Sequence, residues 1–376
     1  MWLVPALRFP GFTDEWKKCK FGDIATGFDY GMNAAAKPYD GQNKYIRITD
    51  IDEASSTYNN EDVVSPDGTL SENYVVNERD ILLARTGAST GKSYLYRKSD
   101  GKLYYAGFLI RANVAEHNPY FVFSQLHTHR YWRWVSIMSA RSGQPGINSQ
   151  EYASFPIFTT TLIEENKIST LLSLIDERIA TQNKIIEKLE TLIKGIRHKV
   201  FKQLRKDFGF NSTIGDILSF EQPQRYIVSS AEYSNDDTFI PVLTANKAFI
   251  LGYTTETDGI YDKGDCIIID DFTLDCKYVS FPFKVKSSAI KILTANNKFI
   301  LRYTYEYLKS LELSTEEHKR HYITEIQPYS CVLPDENTLK TIALVFENLA
   351  YKLSNEQSLA LILNKQRQYL LSKMFI

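Results

Sequence analysis

The middle of the chain carries a long stretch, from about Leu162 to Leu204, in which apolar residues recur every three or four positions. This spacing predicts a helix that buries an apolar stripe against another helix, as in a coiled coil. One position of the stripe is polar, and its glutamine either fixes the register or lies at a slightly exposed site. The stripe includes Ile168, Leu172, Ile175, Ile179, Gln182, Ile186 and Leu189.

A second stretch of the same character closes the chain, from about Asp335 to Phe375. Its stripe includes Leu339, Ile342, Phe346, Leu349 and Leu353. Because each stripe needs an apolar partner, the two predicted helices are expected to pack against each other.

Outside these helices the two halves of the chain repeat. Each half contains a Gly-Asp motif, a run of β-branched residues, a charged turn followed by a short apolar strand, and an aromatic run. The matching segments are FGDIATG (21–27) with IGDILSF (214–220), KYIRITDI (44–51) with FIPVLTAN (239–246), ERDILLA (78–84) with KGDCIII (263–269), and YFVFSQL (120–126) with FILRYTY (299–305).

The repeat predicts an α+β protein in which two similar β-rich domains are separated by two long antiparallel coiled-coil helices. Since domain ends usually lie near one another, a domain placed between two helices forces them to run in opposite directions. We therefore expect a pseudo-twofold arrangement with the chain termini close together. The expected segments are 1–160 (first domain), 161–210 (central helix), 211–334 (second domain) and 335–376 (final helix).

Composition narrows the class of protein. The chain has 376 residues, of which 43% are hydrophobic and 24% charged, as in a globular protein. A net charge of −1 argues against an indiscriminate polyanion binder, so any nucleic-acid surface must be local. The four cysteines show no CxxC spacing, and no run of 18 apolar residues occurs. We predict a cytoplasmic protein that does not enter a membrane.

Basic residues with interleaved Tyr and Phe follow the apolar strand of each half. They form either a solvated sheet face or a surface for nucleic acid, and their recurrence in both halves favours the second interpretation. The two runs are Arg85, Lys92, Arg97, Lys98, Lys102 and Arg111, and then Lys277, Lys284, Lys286, Lys291, Lys298 and Arg302.

The segment RTGASTGKS (85–93) invites comparison with a phosphate-binding P-loop. However, three residues rather than four separate Gly87 from Gly91, and a strand rather than a helix is predicted to follow. The segment is expected to be a Gly-rich hairpin, or a contact to nucleic acid through its backbone, Arg85 and Lys92.

Catalytic motifs are weak. NPYF (118–121) resembles the NPPY/F motif of adenine methyltransferases, but no Gly-rich loop that could hold S-adenosylmethionine accompanies it. The histidines lack partners at ligand spacing. We predict no catalytic residue, no metal and no cofactor, and we assign NPYF to the step before an aromatic helix.

Several segments of the first half, taken together, resemble the specificity (S) subunits of type I restriction-modification systems. These segments are PALRFPGFTDEWKKCKFGDI, IRITDI, RTGASTGK after ERDILLA, and GQPGINSQEYASFPI before a long helix. The second half departs from the pattern, with DDFTLDCK (270–277) in place of RTGASTGK and KRHYIT (319–324) in place of GQPGIN.

The resemblance implies a non-catalytic subunit in which each domain reads one half of a bipartite site in double-stranded DNA. It implies two methyltransferase (modification) subunits and the restriction/translocase subunits as partners, with the helices setting the spacing and docking the modification subunits. It also implies DNA contacts at Arg47, Arg85, Thr86, Gly87, Lys92, Arg97 and Arg111, and at Lys277, Lys291 and Arg302. Gln144, Gly146 and Asn148 would hold the turn before the helix.

Three alternatives remain open at this point. The chain could be the specificity component of a restriction-methylation enzyme outside type I, a coiled-coil scaffold with two protein-binding ends, or a catalytic adenine methyltransferase. They differ in which subunits copurify, in whether partners bind without DNA, and in whether the purified chain transfers methyl groups.

Overall fold

A computed structural model describes residues 3–140, 145–245, 248–313 and 320–376. The chain divides into two compact units. Unit 1 comprises Met1–Asn183 and Ser358–Ile376, and unit 2 comprises Lys184–Gln357. Two long helices, α5 (Leu162–Phe208) and α8 (Glu336–Met374), contribute one part to each unit. The predicted helical stretches are therefore confirmed, and each ends within four residues of the expected position.

Unit 1 contains strands and short helices before α5. The strands are β1 (Lys17–Lys20), β2 (Ala25–Tyr30), β3 (Ala35–Pro38), β4 (Lys44–Ile46), β5 (Val64–Asp67), β6 (Asp80–Ala84), β7 (Ser93–Leu95), β8 (Leu103–Tyr105), β9 (Leu109–Val114) and β10 (Pro156–Thr159). The helices are α1 (Phe21–Ile24), α2 (Pro119–Gln125), α3 (His129–Ser139) and α4 (Ser149–Ser154).

An antiparallel sheet of order β2-β9-β6-β7 forms the centre of unit 1. Its inner strand β6 is buried at every residue, which explains why its sequence is apolar without alternation. Ile81 and Leu83 enter one hydrophobic cluster, which includes α2 and α5 residues, and Leu82 and Ala84 enter another. Beside the sheet, β4 and β8 pair in parallel.

The chain termini meet in unit 1, as the sequence predicts. The amide of Leu7 donates to the carbonyl of Lys373 at 2.8 Å. Trp16 is 1% exposed and packs edge-on against Phe375, with ring centroids 6.1 Å apart. The entry segment is thus part of the core that the end of α8 completes.

The NPYF segment is a helix start. The side chain of Asn118 accepts hydrogen bonds from the amides of Tyr120 and Phe121, and Pro119 occupies the first position of α2. Asparagine as a cap and proline at the first turn satisfy and preorganise a helix N-terminus. This geometry accounts for the motif without a catalytic role.

Unit 2 repeats these elements in shorter form. The strands are β11 (Ser212–Thr213), β12 (Ser219–Glu221), β13 (Ile240–Leu243), β14 (Ile250–Thr254), β15 (Cys266–Asp270), β16 (Cys276–Val279), β17 (Lys284–Val285), β18 (Ile290–Thr294) and β19 (Ser330–Cys331). The helices are α6 (Ile214–Ile217) and α7 (Lys298–Ser310), followed by α8.

The repeat extends to strand order. Unit 2 contains an antiparallel sheet of order β12-β18-β15-β16, which matches β2-β9-β6-β7 strand for strand. The parallel pair β13-β17 corresponds to β4-β8, and β11-β19 corresponds to β1-β10. The central strand β15 is again fully buried and divides its side chains between two clusters.

The long helices run antiparallel in unit 2. In unit 2, Glu190 on α5 accepts a hydrogen bond from Gln357 on α8, while Phe201 stacks on Phe346 with centroids 6.4 Å apart. As the residue number increases along α5, the number of the contacting residue on α8 decreases, which is the antiparallel arrangement. In unit 1, α5 and α8 are joined by the ion pair of Asp176 and Arg367 at 2.5 Å.

Most of the predicted stripe residues are buried where the helices pack. Ile168, Leu172 and Ile175 belong to the main core of unit 1, and Ile179 packs against it. In unit 2, Leu189, Leu339 and Phe346 are core residues, Ile342, Leu349 and Leu353 pack against them, and Ile186 is half-buried. Gln182 is 6% exposed, which removes the interpretation of this position as an exposed site.

The fold class is therefore the one predicted: an α+β chain with two similar β-rich sections and two long helices. All four cysteines are free thiols. No helix in the described part of the chain is long and apolar enough to cross a membrane.

Candidate nucleic-acid interface

The segment after β6 is a tight hairpin rather than a P-loop. The amide of Ala84 donates to the carbonyl of Lys92 (2.8 Å), and the amide of Gly91 donates back to Ala84 (3.0 Å). A single 3₁₀ turn, Gly87–Ser89, lies between them, and strand β7 follows directly. Since a strand rather than a helix follows the loop, it lacks the feature by which a P-loop holds phosphate.

Two segments that the resemblance singles out come together here. The amide of Ile147 donates to the carbonyl of Arg85 (2.9 Å), and the amide of Gly87 donates to that of Pro145 (3.1 Å). Thr86 and Gly146 form a β-bridge. The hairpin after β6 and the segment before α4 therefore form one surface, which we call the hairpin surface (85–92 and 145–148).

Buried tyrosines fix the base of the hairpin surface. The hydroxyl of Tyr152 donates to the carbonyl of Ala84 (2.6 Å), and that of Tyr131 donates to the carbonyl of Gly91 (2.8 Å). Gly91 has φ +93°, and a Cβ there would lie 2.8 Å from Val135. Glycine is required at this position because any side chain would meet both strain and a clash.

Asn148 caps α4. Its side chain accepts from the amide of Glu151 (2.9 Å), while the Glu151 carboxylate accepts from the amide of Asn148 (2.9 Å), which is a capping box. The predicted turn therefore leads into α4, which precedes β10 and α5. Gln144 lies outside the described residues.

A cleft of about 620 Å³ borders the hairpin surface on one side. Its rim includes polar, cationic and aromatic side chains from the ends of β2 and β4 and from the turn between β8 and β9. The residues that line it include Tyr30, Met32, Asn33, Ala34, Ala36, Arg47, Thr49, Arg85, Ala106 and Phe108. A smaller hollow of about 350 Å³, lined by Thr86, Met138, Gly146, Ile147, Asn148, Glu151 and again Arg85, lies beside it.

Arg85 borders both hollows and has its guanidinium available. Its Cζ lies 4.7 Å from the centre of the Tyr30 ring. Among the described residues, the Arg85 side chain forms no hydrogen bond or ion pair. The Tyr30 hydroxyl accepts from the amide of Ser149 (3.3 Å). Hydrogen bonding to the Ser149 side chain, and then to its amide, lowers the pKa of Tyr30, with a further contribution from Arg85. A stacked guanidinium with open donors is suited to carboxylate, phosphate or guanine.

Arg47 lines the cleft and Lys92 ends the hairpin surface, but both carry counterions. Arg47 donates to Asp50 (2.7 Å) and lies 3.6 Å from Asp62, and the hydrogen bond with Asp50 raises the pKa of Arg47. Lys92 pairs with Glu53 at 3.4 Å. Because Asp62 and Glu53 are largely exposed, their pairs contribute little and can be exchanged for a phosphate.

The structure does not bring Arg97 and Arg111 to the cleft. Arg97 is exposed and lines a different hollow, beside Asp176 on α5. Arg111 lies on β9 and donates to the carbonyl of Val75 (3.2 Å) and to Asp29 (3.3 Å). Both remain candidate contacts at positions separate from Arg85.

In unit 2, the structure contradicts the prediction that Lys291 contacts DNA. Its side chain is 1% exposed, lies 3.2 Å from Asp271 and donates to Gln222 at 2.8 Å. Lys284, from the same basic run, is also buried and pairs with Glu256 at 2.8 Å. Their ammonium groups neutralise neighbouring carboxylates, so the run does not form a continuous basic face.

The predicted DNA contact at Arg302 is also wrong, because its guanidinium is bound by other groups of unit 2. Its guanidinium donates to Glu306 (2.6 Å) on α7 and to the carbonyl of Phe346 (3.1 Å) on α8. Glu306 is 1% exposed and also accepts from Arg197 on α5 at 2.7 Å. Arg302 therefore joins helices inside unit 2 and is not presented to a ligand.

The unit 2 counterpart of the hairpin surface is built differently. The Asp270 carboxylate accepts from the amides of Phe272 and Thr273, which closes a turn after β15. The carbonyl of Asp271 accepts from the amide of His321 (2.9 Å), and its carboxylate accepts from the amide of Tyr322 (2.8 Å). An acidic turn thus stands where unit 1 has Arg85.

The cation in unit 2 comes from the opposite segment. Arg320 has a half-exposed side chain 3.9 Å from Asp271, and its guanidinium lies 5.9 Å from the centre of the Phe272 ring. Lys277 on β16 is partly exposed. Arg320 and Lys277 are thus two accessible cations of unit 2, one on the segment opposite the acidic turn and one on the strand that follows the turn.

Three residues were missed at the level of sequence: Tyr30, Phe108 and Arg320. Tyr30 and Phe108 end or follow strands, and no periodic signal distinguishes them from core aromatics. Arg320 had a signal, because KRHYIT replaces GQPGIN at the matching position. No group of three or more His, Cys, Asp and Glu side chains in the described ranges is arranged to hold a metal ion.

Solved structures of other proteins share the fold of this chain. The chain matches the crystal structure of the type I restriction-modification S subunit from M. genitalium with a TM-score of 0.70, at 16% identity and 99% coverage of both chains. It matches a chain from a structure on complex assembly and conformational transition of the type I system with a TM-score of 0.51, at 14% identity and 99% coverage of both. The shared fold is that of type I S subunits.

A particular relative is found by sequence. The chain is 44% identical over 141 residues to the type I restriction enzyme EcoR124I/EcoR124II specificity subunit of Escherichia coli. The match covers 36% of this chain and about a third (35%) of that relative. No protein-family model matches the chain. The resemblance to type I specificity subunits that the sequence predicts is confirmed.

Proposed function

We propose that this chain is the DNA sequence-specificity subunit of a type I restriction-modification complex. The observation that carries the proposal is the repeated unit: each half builds the same strand order and sets a turn after its buried central strand against the segment before its final strand. Two related surfaces in one chain suit a bipartite target. The full-length fold match supports this function over a coiled-coil scaffold or a specificity component of another system.

In unit 1, DNA would lie across the hairpin surface and the cleft. Arg85 would supply a bidentate contact to a guanine edge or a phosphate, and the backbone of Thr86 and Gly87 would approach the sugar-phosphate chain. Arg47 and Lys92 would exchange their exposed carboxylates for phosphates. Arg97 and Arg111 would add contacts away from the cleft.

In unit 2, Lys277 and Arg320 are the proposed contacts, in place of the buried Lys291 and of Arg302, which Glu306 binds inside the unit. The base preference there would differ from that of unit 1, because the accessible cation Arg320 lies on the opposite segment and the Asp271 carboxylate is buried beside Lys291. The two halves of the target would therefore differ in sequence.

The two helices are proposed to set the spacing between half-sites and to dock two modification subunits. Exposed apolar side chains on α8 support the second role, among them Leu361, Ile362 and Tyr369 in unit 1 and Tyr351 in unit 2. The chain would contribute targeting, while the partner subunits would methylate adenine and, with the restriction subunits, cleave DNA in the cytoplasm.

Exchange of the first domain tests the proposal. Residues 1–160 are replaced by the corresponding domain of a relative with another target, and modified bases are mapped across the host genome. We expect one half of the modified sequence to change and the other half to persist, because each unit reads its own half. An unchanged sequence in both halves would reject the function.

A further inference from the structure

Phe108 is an exposed aromatic residue at the edge of the unit 1 cleft. It is 58% exposed and lies on the short turn between β8 and β9. A large apolar ring gains free energy when it is removed from water. An exposed ring beside a cationic cleft therefore favours a ligand with both an apolar and a polar part.

The turn that carries Phe108 is held at both sides. The amide of Gly107 donates to the carbonyl of Met32 (2.8 Å), and the amide of Leu109 donates to that of Ala106 (2.8 Å). The carbonyl of Phe108 itself accepts from the amide of Arg85 (3.0 Å). The ring and the Arg85 guanidinium thus start from hydrogen-bonded neighbouring segments and border the same cleft.

The cleft next to Phe108 combines two kinds of lining. Met32, Ala34, Ala36 and Ala106 provide an apolar wall, whereas Asn33 and Thr49 provide donors and acceptors. In the DNA major groove, the thymine C5-methyl is the apolar group on a base edge, and it stands beside hydrogen-bonding atoms. The cleft edge thus offers an apolar surface for the methyl group and, beside it, hydrogen-bonding groups for the polar atoms of a thymine edge.

We propose that Phe108 is a specificity-determining residue that contacts the C5-methyl of a thymine, next to the base pair or phosphate held by Arg85. The inference rests on the proposed function and names one base-edge group that unit 1 recognises. Insertion between stacked bases is a poorer fit. A wedge must advance fully between base steps, whereas Phe108 is partly covered and its backbone is bound on both sides.

Replacing thymidine by deoxyuridine tests the contact, because this change removes the C5-methyl alone. The full chain, purified with the subunits that copurify from its host, is titrated with duplexes that carry deoxyuridine at one thymine of the first half-site at a time. We expect one position at which the wild-type complex binds about fourfold more weakly, the value for one buried methyl group. Phe108→Ala should bind thymidine and deoxyuridine equally there.

Two further variants make the result specific. Phe108→Leu keeps an apolar side chain and should retain most of the preference for thymidine at that position. Tyr39→Ala removes another exposed aromatic ring of unit 1 that does not line the cleft, and it should retain the full preference. Retention of the preference by Phe108→Ala, or no sensitive position in the wild type, overturns the inference. If the wild-type complex discriminates no DNA sequence, the proposed function fails as well.

Discussion

Replacing Glu306 by Ala is expected to lower the free energy of unfolding by about 3–5 kcal/mol, the usual loss when one partner of a buried ion pair is removed. Glu306 on α7 is 1% exposed. Its carboxylate accepts from Arg197 on α5 at 2.7 Å and from Arg302, also on α7, at 2.6 Å. When the carboxylate is removed, the guanidiniums of Arg197 (16% exposed) and Arg302 (13% exposed) lose this counterion while they remain largely shielded from water. Urea denaturation of the full chain, followed by circular dichroism, measures the loss.

Glu312 provides the matched control in the same unit. It also pairs with a cation of α5, Lys194, at 2.7 Å, but both side chains are more than half exposed. An exposed pair contributes about 0–1 kcal/mol, so Glu312→Ala should leave the denaturation midpoint nearly unchanged. Equal losses in the two variants would contradict the structural role assigned to Glu306.

Replacing Arg85 by Ala is expected to weaken recognition of one half-site by about 10- to 100-fold, the range for loss of a bidentate base contact. Arg85 borders both hollows of unit 1, and its guanidinium stacks on Tyr30 with its donors open to a ligand. Competition binding with duplexes altered in one half at a time measures the effect. Specificity in the other half should persist.

Two variants separate the contributions of Arg85. Arg85→Lys keeps the charge but loses the planar fork, so it should restore phosphate binding and leave base discrimination impaired. Lys98→Ala removes an exposed cation of the same basic run, paired with Glu78 at 3.2 Å, and should bind as the wild type does. Arg85→Ala with wild-type affinity for every duplex would remove Arg85 from the interface.

The elements were predictable because their signals are local. The three-four spacing from Ile168 to Leu189 marks α5, and the apolar runs of β6 and β15 mark strands buried on both faces. The Gly-Asp motifs preserve the order of the repeat. In each case the signal lies within one continuous segment of sequence.

The site depended on contacts between distant segments. Lys291 is buried beside Asp271, twenty positions earlier in the chain. Arg302 is bound inside unit 2 by Glu306, which also accepts from Arg197 on another helix. Their charge alone suggested exposure. A basic residue therefore indicates a surface only when its acidic partners are known.

The cleft also depends on contacts between segments that are distant in the sequence. Tyr30, Arg85 and Phe108 come from three separate strand ends, and sheet order β2-β9-β6 brings them together. Period-two patterning identifies which strand faces are buried, but it does not say which ends meet. The resemblance to S subunits supplied Arg85 and left the two aromatic residues unassigned.

The central claim is that one chain directs modification to a DNA target in two parts. Mapping of methylated adenines across the host genome, with the gene present and with it deleted, measures this directly. We predict one modified sequence composed of two specified parts and an unspecified spacer, which disappears on deletion. An uninterrupted target, or a bipartite one that persists after deletion, would contradict the account.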